Sequence, residues 1–237
     1  MARPGRLELL TVALAVVAIA LGVIVLTRHR SPRVVVVTTE ASPSPRRPGT
    51  PVRTCEESVG TVNNKSQWDA PPEMQIDAAR SYRAAVETSK GRIVIDLDAK
   101  VAPNTVNNFV FLSRCGFYDG VTFHRVAKDF VIQGGDPSGT GRGGPGYTFA
   151  DELPPSPGYP VGSVAMANSG PNTNGSQFFI VTGPSASRLP ANYSLFGRVA
   201  EGQDVAKTIE SLPIQGGGKD GRPTETVTIT GVTITEA

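Results

Sequence analysis

The sequence predicts a mainly β fold, a closed barrel of short strands capped by two α-helices, and three observations predict it. Glycine and proline are abundant, at 26 and 20 of 237 residues, as expected of a chain with many turns. Short apolar runs, several with a period of two, recur from about residue 79 onward, as strands with one buried face require. In the same region two stretches carry helical spacing.

The elements follow in order. Residues 1–8 are a tail carrying Arg3 and Arg6. In 9–27, every residue from Leu9 to Leu26 is apolar apart from Thr11 and Gly22. As a helix this run would span about 27 Å, close to the hydrocarbon thickness of a bilayer, and it reads as one N-terminal transmembrane helix or signal anchor. A cleaved signal peptide is the competing reading, with Ala18-Ile19-Ala20 as its small-residue site. Leu21 to Leu26 run on past that site and Arg28 and Arg30 follow, which favours the uncleaved anchor. Basic residues flank both ends, so they do not orient the segment.

Residues 28–53 hold Pro32, Pro43, Pro45, Pro48 and Pro51 among Ser, Thr and Arg, a composition that buries no core and forms a disordered tether. The run Val34 to Val37 within it is either a short strand or a hydrophobic contact. Residues 54–78 form an arm whose Trp68 is a candidate for packing on the domain that follows.

The domain is assigned to 79–237. Tyr82–Thr88 and Arg92–Leu97, joined at Ser89-Lys90-Gly91, predict a hairpin. Pro103-Asn104-Thr105 starts a helix with Val106, Phe109, Val110 and Leu112 on its apolar side, ending by Gly116. A second helix near Asp204 places Val205, Ile209 and Leu212 at i, i+4 and i+7 and is closed by Pro213. Between the helices, Gly162–Ala167 and Gln177–Val181 are strand candidates. The last strand is read at Thr226–Thr230, resuming at Val232.

Charge excludes one class of partner. Residues 1–53 carry eight Arg against Glu8 and Glu40, a net +6, which leaves 15 basic and 19 acidic side chains, a net −4, for the remainder. A mildly acidic domain lacks the basic face that nucleic-acid binding needs. Metal chemistry is not indicated, because His29 and His124 are the only histidines and neither has ligand spacing. No Gly-x-Ser-x-Gly turn is present and Cys115 has no evident histidine partner, so nucleophilic catalysis reads poorly. Gly139-Thr140-Gly141-Arg142-Gly143-Gly144 has the spacing of a dinucleotide loop, but Pro145-Gly146-Tyr147 follows instead of a helix N-terminus. That loop reads as tightly turning backbone.

Two blocks carry the functional signal. Phe123-His124-Arg125-Val126 leads into Phe130-Val131-Ile132-Gln133-Gly134-Gly135-Asp136, and about thirty residues later comes an unbroken run from Met166 to Phe179. On residues alone, Phe130 and Phe179 suit a barrel core, Gln133 and Asn168 suit strand-end hydrogen bonding, and His124 suits a structural role. In order and content, however, the blocks resemble the cyclophilins, over about Tyr82 to Thr235.

The resemblance implies an eight-stranded antiparallel barrel with two capping helices, a proline pocket on its outer face and no cofactor. It implies that Arg125 is catalytic and that Phe130, Val131, Phe179 and Leu189 line the pocket. Gln133, Ala167, Asn168 and Gln177 fall on the groove for the substrate backbone, Gly139 on its rim and His124 at the pocket edge; Ser169 and Tyr193 complete the substrate-binding set. Two positions depart from the family pattern: Arg188 stands where a Trp often precedes the pocket leucine, and Tyr193 where a His is usual. The implied activity is cis/trans isomerisation of Xaa-Pro bonds during protein folding. A catalytically silent proline-peptide binding module is the alternative, disfavoured by the presence of Arg125. Proline-containing polypeptides are the expected partners of a monomeric enzyme.

An anchor and a Pro-rich tether ahead of a folded domain lay the protein out for a single-pass membrane location, with the isomerase domain outside the cytoplasm. In such a compartment Cys55 and Cys115 have two readings. They form a disulfide closing a loop of about sixty residues, worth roughly 4 kcal/mol by chain entropy, or they are unrelated thiols with Cys115 buried as a small apolar side chain.

Overall fold

Two-residue periodicity organises most of what the computed structural model describes, which is residues 54–236 apart from Pro157. The tail at 1–8, the apolar segment at 9–27 and the tether at 28–53 lie outside the described residues. Among those described, no helix is long and apolar enough to cross a membrane.

The arm is ordered into a hairpin. After a 3₁₀ turn at Cys55–Glu57, strands β1 (Gly60–Val62) and β2 (Lys65–Gln67) pair antiparallel. Asn63 and Asn64 join them with φ of 49° and 62°, the left-handed pair that a two-residue hairpin turn demands and Asn tolerates. Trp68 follows, fully buried at 0% exposure. Its ring meets Phe111 edge-on at 5.1 Å and Phe117 at 6.2 Å. Cys55 is disulfide-bonded to Cys115, with Cα atoms 5.3 Å apart. The 54–78 stretch thus shares the core of the domain it precedes.

Strands β3 (Tyr82–Thr88) and β4 (Gly91–Leu97) form the expected hairpin, registered from Tyr82 opposite Leu97 to Thr88 opposite Gly91. On β3, Tyr82, Ala84 and Val86 point into the core and their neighbours do not. Helix α1 (Pro103–Arg114) begins with proline, whose missing N–H costs nothing there. Its N-cap residue, Ala102, makes no side-chain cap; Glu152 supplies one from a distant loop. The Glu152 carboxylate accepts from Asn104 N (3.0 Å) and Nδ2 (2.8 Å), and from Thr105 N (2.8 Å) and Oγ1 (2.7 Å). A negative group there satisfies orphan donors and complements the helix dipole. Glu152→Ala is therefore expected to lower stability by about 1–2 kcal/mol in urea unfolding; an unchanged midpoint would remove the capping role.

After α1 come β5 (Arg125–Ala127), β6 (Val131–Gly134), β7 (Ser163–Met166), β8 (Phe178–Val181) and β9 (Leu195–Glu201), then helix α2 (Gln203–Ser211), β10 (Asp220–Gly221) and β11 (Ile229–Glu236). The main sheet has the order β10-β5-β6-β8-β7-β9-β4-β3-β11, antiparallel throughout. This is a curled antiparallel sheet with two helices. Its ladder holds nine strands among the described residues, where the sequence reading expects eight, and ends at β10 and β11. Residues 121–123 form no strand. Thr122 makes single bridges to Asp136 and Thr228, with Phe123 N donating to Val227 O and Ile229 N to Val121 O. The same pairing explains why the final strand starts at Ile229 rather than at the expected Thr226.

The core fills the space against α1. Val106, Phe109, Val110 and Leu112 are buried, as their spacing predicts. Phe109 packs against Phe178 at 5.6 Å and Phe196 at 5.3 Å, tying the helix to β8 and β9. A second, smaller apolar cluster of Val131, Ala165, Phe179, Val181 and Tyr159 lies apart from this core. Strands β6, β7 and β8 serve both: Ile132, Val164, Met166, Phe178 and Ile180 belong to the main core, and the residues between them form the second cluster.

Candidate active site

Sheet register sets the site. Arg125 of β5 lies opposite Gln133 of β6, Gln133 opposite Phe179 of β8, and Phe179 opposite Ala165 of β7. Residues in one such row share a face of the sheet, so one charged group, one amide and one phenyl ring stand side by side over the second apolar cluster.

A cavity of about 600 Å³ opens on this face. It gathers His124, Arg125, Phe130, Val131, Gln133, Gly139, Ala167, Asn168, Phe179, Leu189 and Tyr193. Ser169 and Gln177, the remaining two candidates, line an adjoining cleft that shares Gln133, Ala167 and Asn168 with the cavity. Phe130, Ala167, Leu189 and Tyr193 pack against the second cluster, giving the cavity an apolar floor. Tyr193 stands edge-on to Phe179 at 5.4 Å and 88°. Its backbone is pinned by Tyr159, whose hydroxyl donates to Tyr193 O (2.8 Å) and accepts from Tyr193 N (3.0 Å). Arg188, at the end of a 3₁₀ turn (Pro184–Arg188), is exposed and does not line the cavity.

The Arg125 guanidinium is held on two sides. Nε and Nη2 donate to the two carboxylate oxygens of Asp220 (2.8 and 2.6 Å), and Nη1 donates to Gln133 Oε1 (3.0 Å). Gln133 Nε2 passes the chain to Gln177 Oε1 (3.0 Å), whose Nε2 donates to Gly143 O (2.9 Å). The hydrogen bonds that Arg125 donates to Asp220 raise the Arg125 pKa above its ordinary value and lower that of Asp220. The fork leaves N–H groups on Nη1 and Nη2 for a ligand in the cavity.

The glycine loop is shaped by an internal anion. Asp136, 1% exposed, accepts from Ser138 N (2.7 Å), Thr140 N (2.9 Å), Gly141 N (2.6 Å) and Arg142 N (3.1 Å). Burial raises its pKa, but the bonds from Ser138 and the loop N–H groups outweigh that and hold it below the usual value. The dinucleotide-like spacing thus wraps a carboxylate of the chain itself, a nest of N–H groups already filled. His124 is buried beside this loop, and its pKa is lowered chiefly by that burial, with Asp136 opposing and Arg222 and Arg125 assisting. Among the described residues no group of three or more His, Cys, Asp or Glu is gathered as a metal ion would need.

Sequence reading missed Asp220 and Arg222. Both line the cavity, and Arg222 Nη2 holds the Gly139 carbonyl. Ninety-five residues separate Asp220 from Arg125, and a two-residue strand in a Gly-rich loop leaves no periodicity by which to place it.

Residues 83–234 match the family model described as cyclophilin type peptidyl-prolyl cis-trans isomerase/CLD. The chain is 48% identical over 131 residues to peptidyl-prolyl cis-trans isomerase CYP18-2 of Arabidopsis thaliana, covering 54% of this chain and 79% of that one. It is 44% identical over 161 residues to the probable peptidyl-prolyl cis-trans isomerase B of Mycobacterium tuberculosis, covering 61% of this chain and 52% of that one. A crystal structure of a cyclophilin type isomerase from Cryptosporidium parvum, determined in the presence of the dipeptide Ala-Pro, superposes with a TM-score of 0.59 at 35% identity, covering 65% of this chain and 98% of that one. With fold, cavity and sequence in agreement, the chain belongs to the cyclophilin-type peptidyl-prolyl cis-trans isomerases, enzymes that interconvert the cis and trans forms of Xaa-Pro peptide bonds.

Proposed function

We propose that Arg125 is the catalytic residue and that the cavity beside it holds the substrate proline. The observation that carries this reading is the guanidinium fixed by Asp220 and Gln133 at the edge of a cavity with an apolar floor. Rotation about a prolyl bond faces a barrier of about 18–20 kcal/mol because twisting breaks amide resonance. A twisted amide localises its nitrogen lone pair, and an N–H aimed at that nitrogen gains strength only as the twist develops. Phe130, Val131, Phe179 and Leu189 hold the ring and exclude water. Gln133, Ala167, Asn168, Ser169 and Gln177 anchor the flanking backbone, with Gly139 and His124 at the rim, so that one side of the bond rotates against a fixed other. No cofactor has a part in this step.

Substrates are proline-containing polypeptides, a reading supported by the Ala-Pro present in the Cryptosporidium structure. A protease-coupled Xaa-Pro isomerisation assay on the full chain in mild detergent tests it. Acceleration that is lost when proline peptides compete supports the enzyme; binding of those peptides without acceleration would make the chain a silent binding module.

The segment at 9–27 anchors the protein in a single pass, the tether at 28–53 spaces a monomeric domain from the bilayer, and the domain lies outside the cytoplasm. The apolar run from Leu9 to Leu26 supports the anchor, and the Cys55–Cys115 disulfide suits an oxidising compartment. Protease digestion of sealed cytoplasmic-side-out vesicles should spare the domain; its digestion there would reverse the topology.

The exposed Arg188 carries a second prediction. Cyclosporin-like ligands use the Trp common in the family at this position, so they are expected to bind this chain more weakly than Trp-bearing relatives. Arg188→Trp should tighten binding about tenfold or more, as an aromatic anchor does at an interface. An unchanged affinity would mean that Ser187 to Tyr193 are misaligned with the family.

A further inference from the structure

The arm also borders the candidate active site. Val62 of β1 and Gln67 of β2 line a second cleft of about 740 Å³, together with the loop 141–148 and Gln177. This cleft is continuous with the proline cavity through Gln133, Gly141, Ala167 and Asn168, which line both. A polypeptide that leaves the proline cavity in this direction runs along the arm.

Hydrogen bonds hold the arm against residues 137–145. Gln67 Nε2 donates to Gly144 O (3.0 Å), Trp68 N to Pro145 O (2.8 Å) and Asn63 Nδ2 to Pro137 O (3.0 Å). Contact is closest at Gly146, φ +98°, where a Cβ would lie 2.5 Å from Trp68 O, so a side chain has no room there. The disulfide fixes the other end of the arm to the residue after α1. The family match starts at residue 83, so this wall is added from outside the matched region.

The lining indicates which side chain the cleft takes. Arg142 is its one charged lining residue among those described, it is exposed, and no ion pair holds it there. Val62, 40% exposed, offers an apolar surface, while Gln67, Asn168 and Thr173 are neutral hydrogen-bonding groups. An apolar stem ending in a carboxylate satisfies both parts. We propose that the arm and the glycine loop form a second substrate subsite that selects an acidic side chain, glutamate above all, flanking the Xaa-Pro bond. The proposal rests on isomerisation taking place in the adjoining proline cavity.

The test uses the full chain, oxidised and in mild detergent, with Ala-Pro peptides carrying one Glu or one Lys at each of three positions on either side. The measured quantity is the ratio of kcat/KM for Glu over Lys at each position. At one position the unaltered protein should favour Glu about three- to fivefold, the size of an exposed ion pair. Arg142→Gln should bring that ratio near one, and Val62→Asp, which sets a carboxylate on the arm's face of the cleft, should bring it to one or below. Thermal melts run in parallel establish that both variants, at exposed positions, are folded. Equal rates for Glu and Lys at all six positions, or a preference that neither variant moves, would overturn the subsite. A preference moved by Arg142→Gln but not by Val62→Asp would remove the arm from it. A chain inactive on every peptide would overturn the isomerase reading itself, and the subsite with it.

Discussion

Arg125→Ala is expected to lower kcat about 100- to 1000-fold while leaving the fold nearly unchanged, as the loss of one aimed electrostatic donor does elsewhere. Each factor of ten corresponds to about 1.4 kcal/mol of barrier, so the guanidinium is assigned about 3–4 kcal/mol of the lowering. Little of this should appear in stability. The Arg125–Asp220 pair is partly exposed, with side-chain accessibilities of 38% and 52%, and such pairs contribute at most about 1 kcal/mol. Arg125→Lys should fail almost as badly, because a point charge cannot accept the two-oxygen grip of Asp220 and also bond Gln133. Stopped-flow isomerisation with a parallel melt separates the two effects. An unchanged rate in Arg125→Ala would remove the assigned role, and an equal loss of rate and of folded protein would make the residue structural.

What was legible in the sequence had local causes. The hairpin β3–β4 and helix α1 follow from alternation, turn residues and an N-terminal proline, all within a few positions of one another. The cavity beside Arg125 was legible through the two blocks around Arg125 and Asn168, because β6, β7 and β8 place their residues in adjoining rows of one sheet. Three features required distant parts of the chain to meet. Glu152 caps α1 from 47 residues away, Asp220 grips Arg125 from 95, and the sheet near Thr122 is joined by single bridges to residues 136 and 228. No periodicity carries that information. Trp68 lies between these cases: a lone tryptophan in a polar stretch marks itself as a packing candidate, and only the fold supplies Phe111 and Phe117 as its partners.

Trp68→Ala should cost about 3–5 kcal/mol, the usual loss for emptying a large aromatic site, against a total stability of about 5–15 kcal/mol for a domain. The ring is fully buried, and its indole Nε1 has no hydrogen-bond partner among the described atoms, so packing holds it rather than a polar bond. Trp68→Phe keeps much of the apolar volume and removes a buried donor that itself costs about 1–3 kcal/mol, so it should be far milder than alanine. The neighbouring disulfide gives an independent comparison. Reduction frees a loop of 60 residues, worth roughly 4 kcal/mol by chain entropy before any strain. That effect falls mainly on the unfolded chain, which expands once uncrosslinked and exposes more surface, so reduction should steepen the urea dependence as well as lower the midpoint. Trp68→Ala acts on native packing and should shift the midpoint with the slope unchanged. Urea unfolding of the oxidised chain, the reduced chain and the Trp68→Ala variant distinguishes the two mechanisms. A Trp68→Ala midpoint within error of the parent would mean that the arm is not docked on Phe111 and Phe117 in solution, and would detach β1 and β2 from the wall of the second cleft.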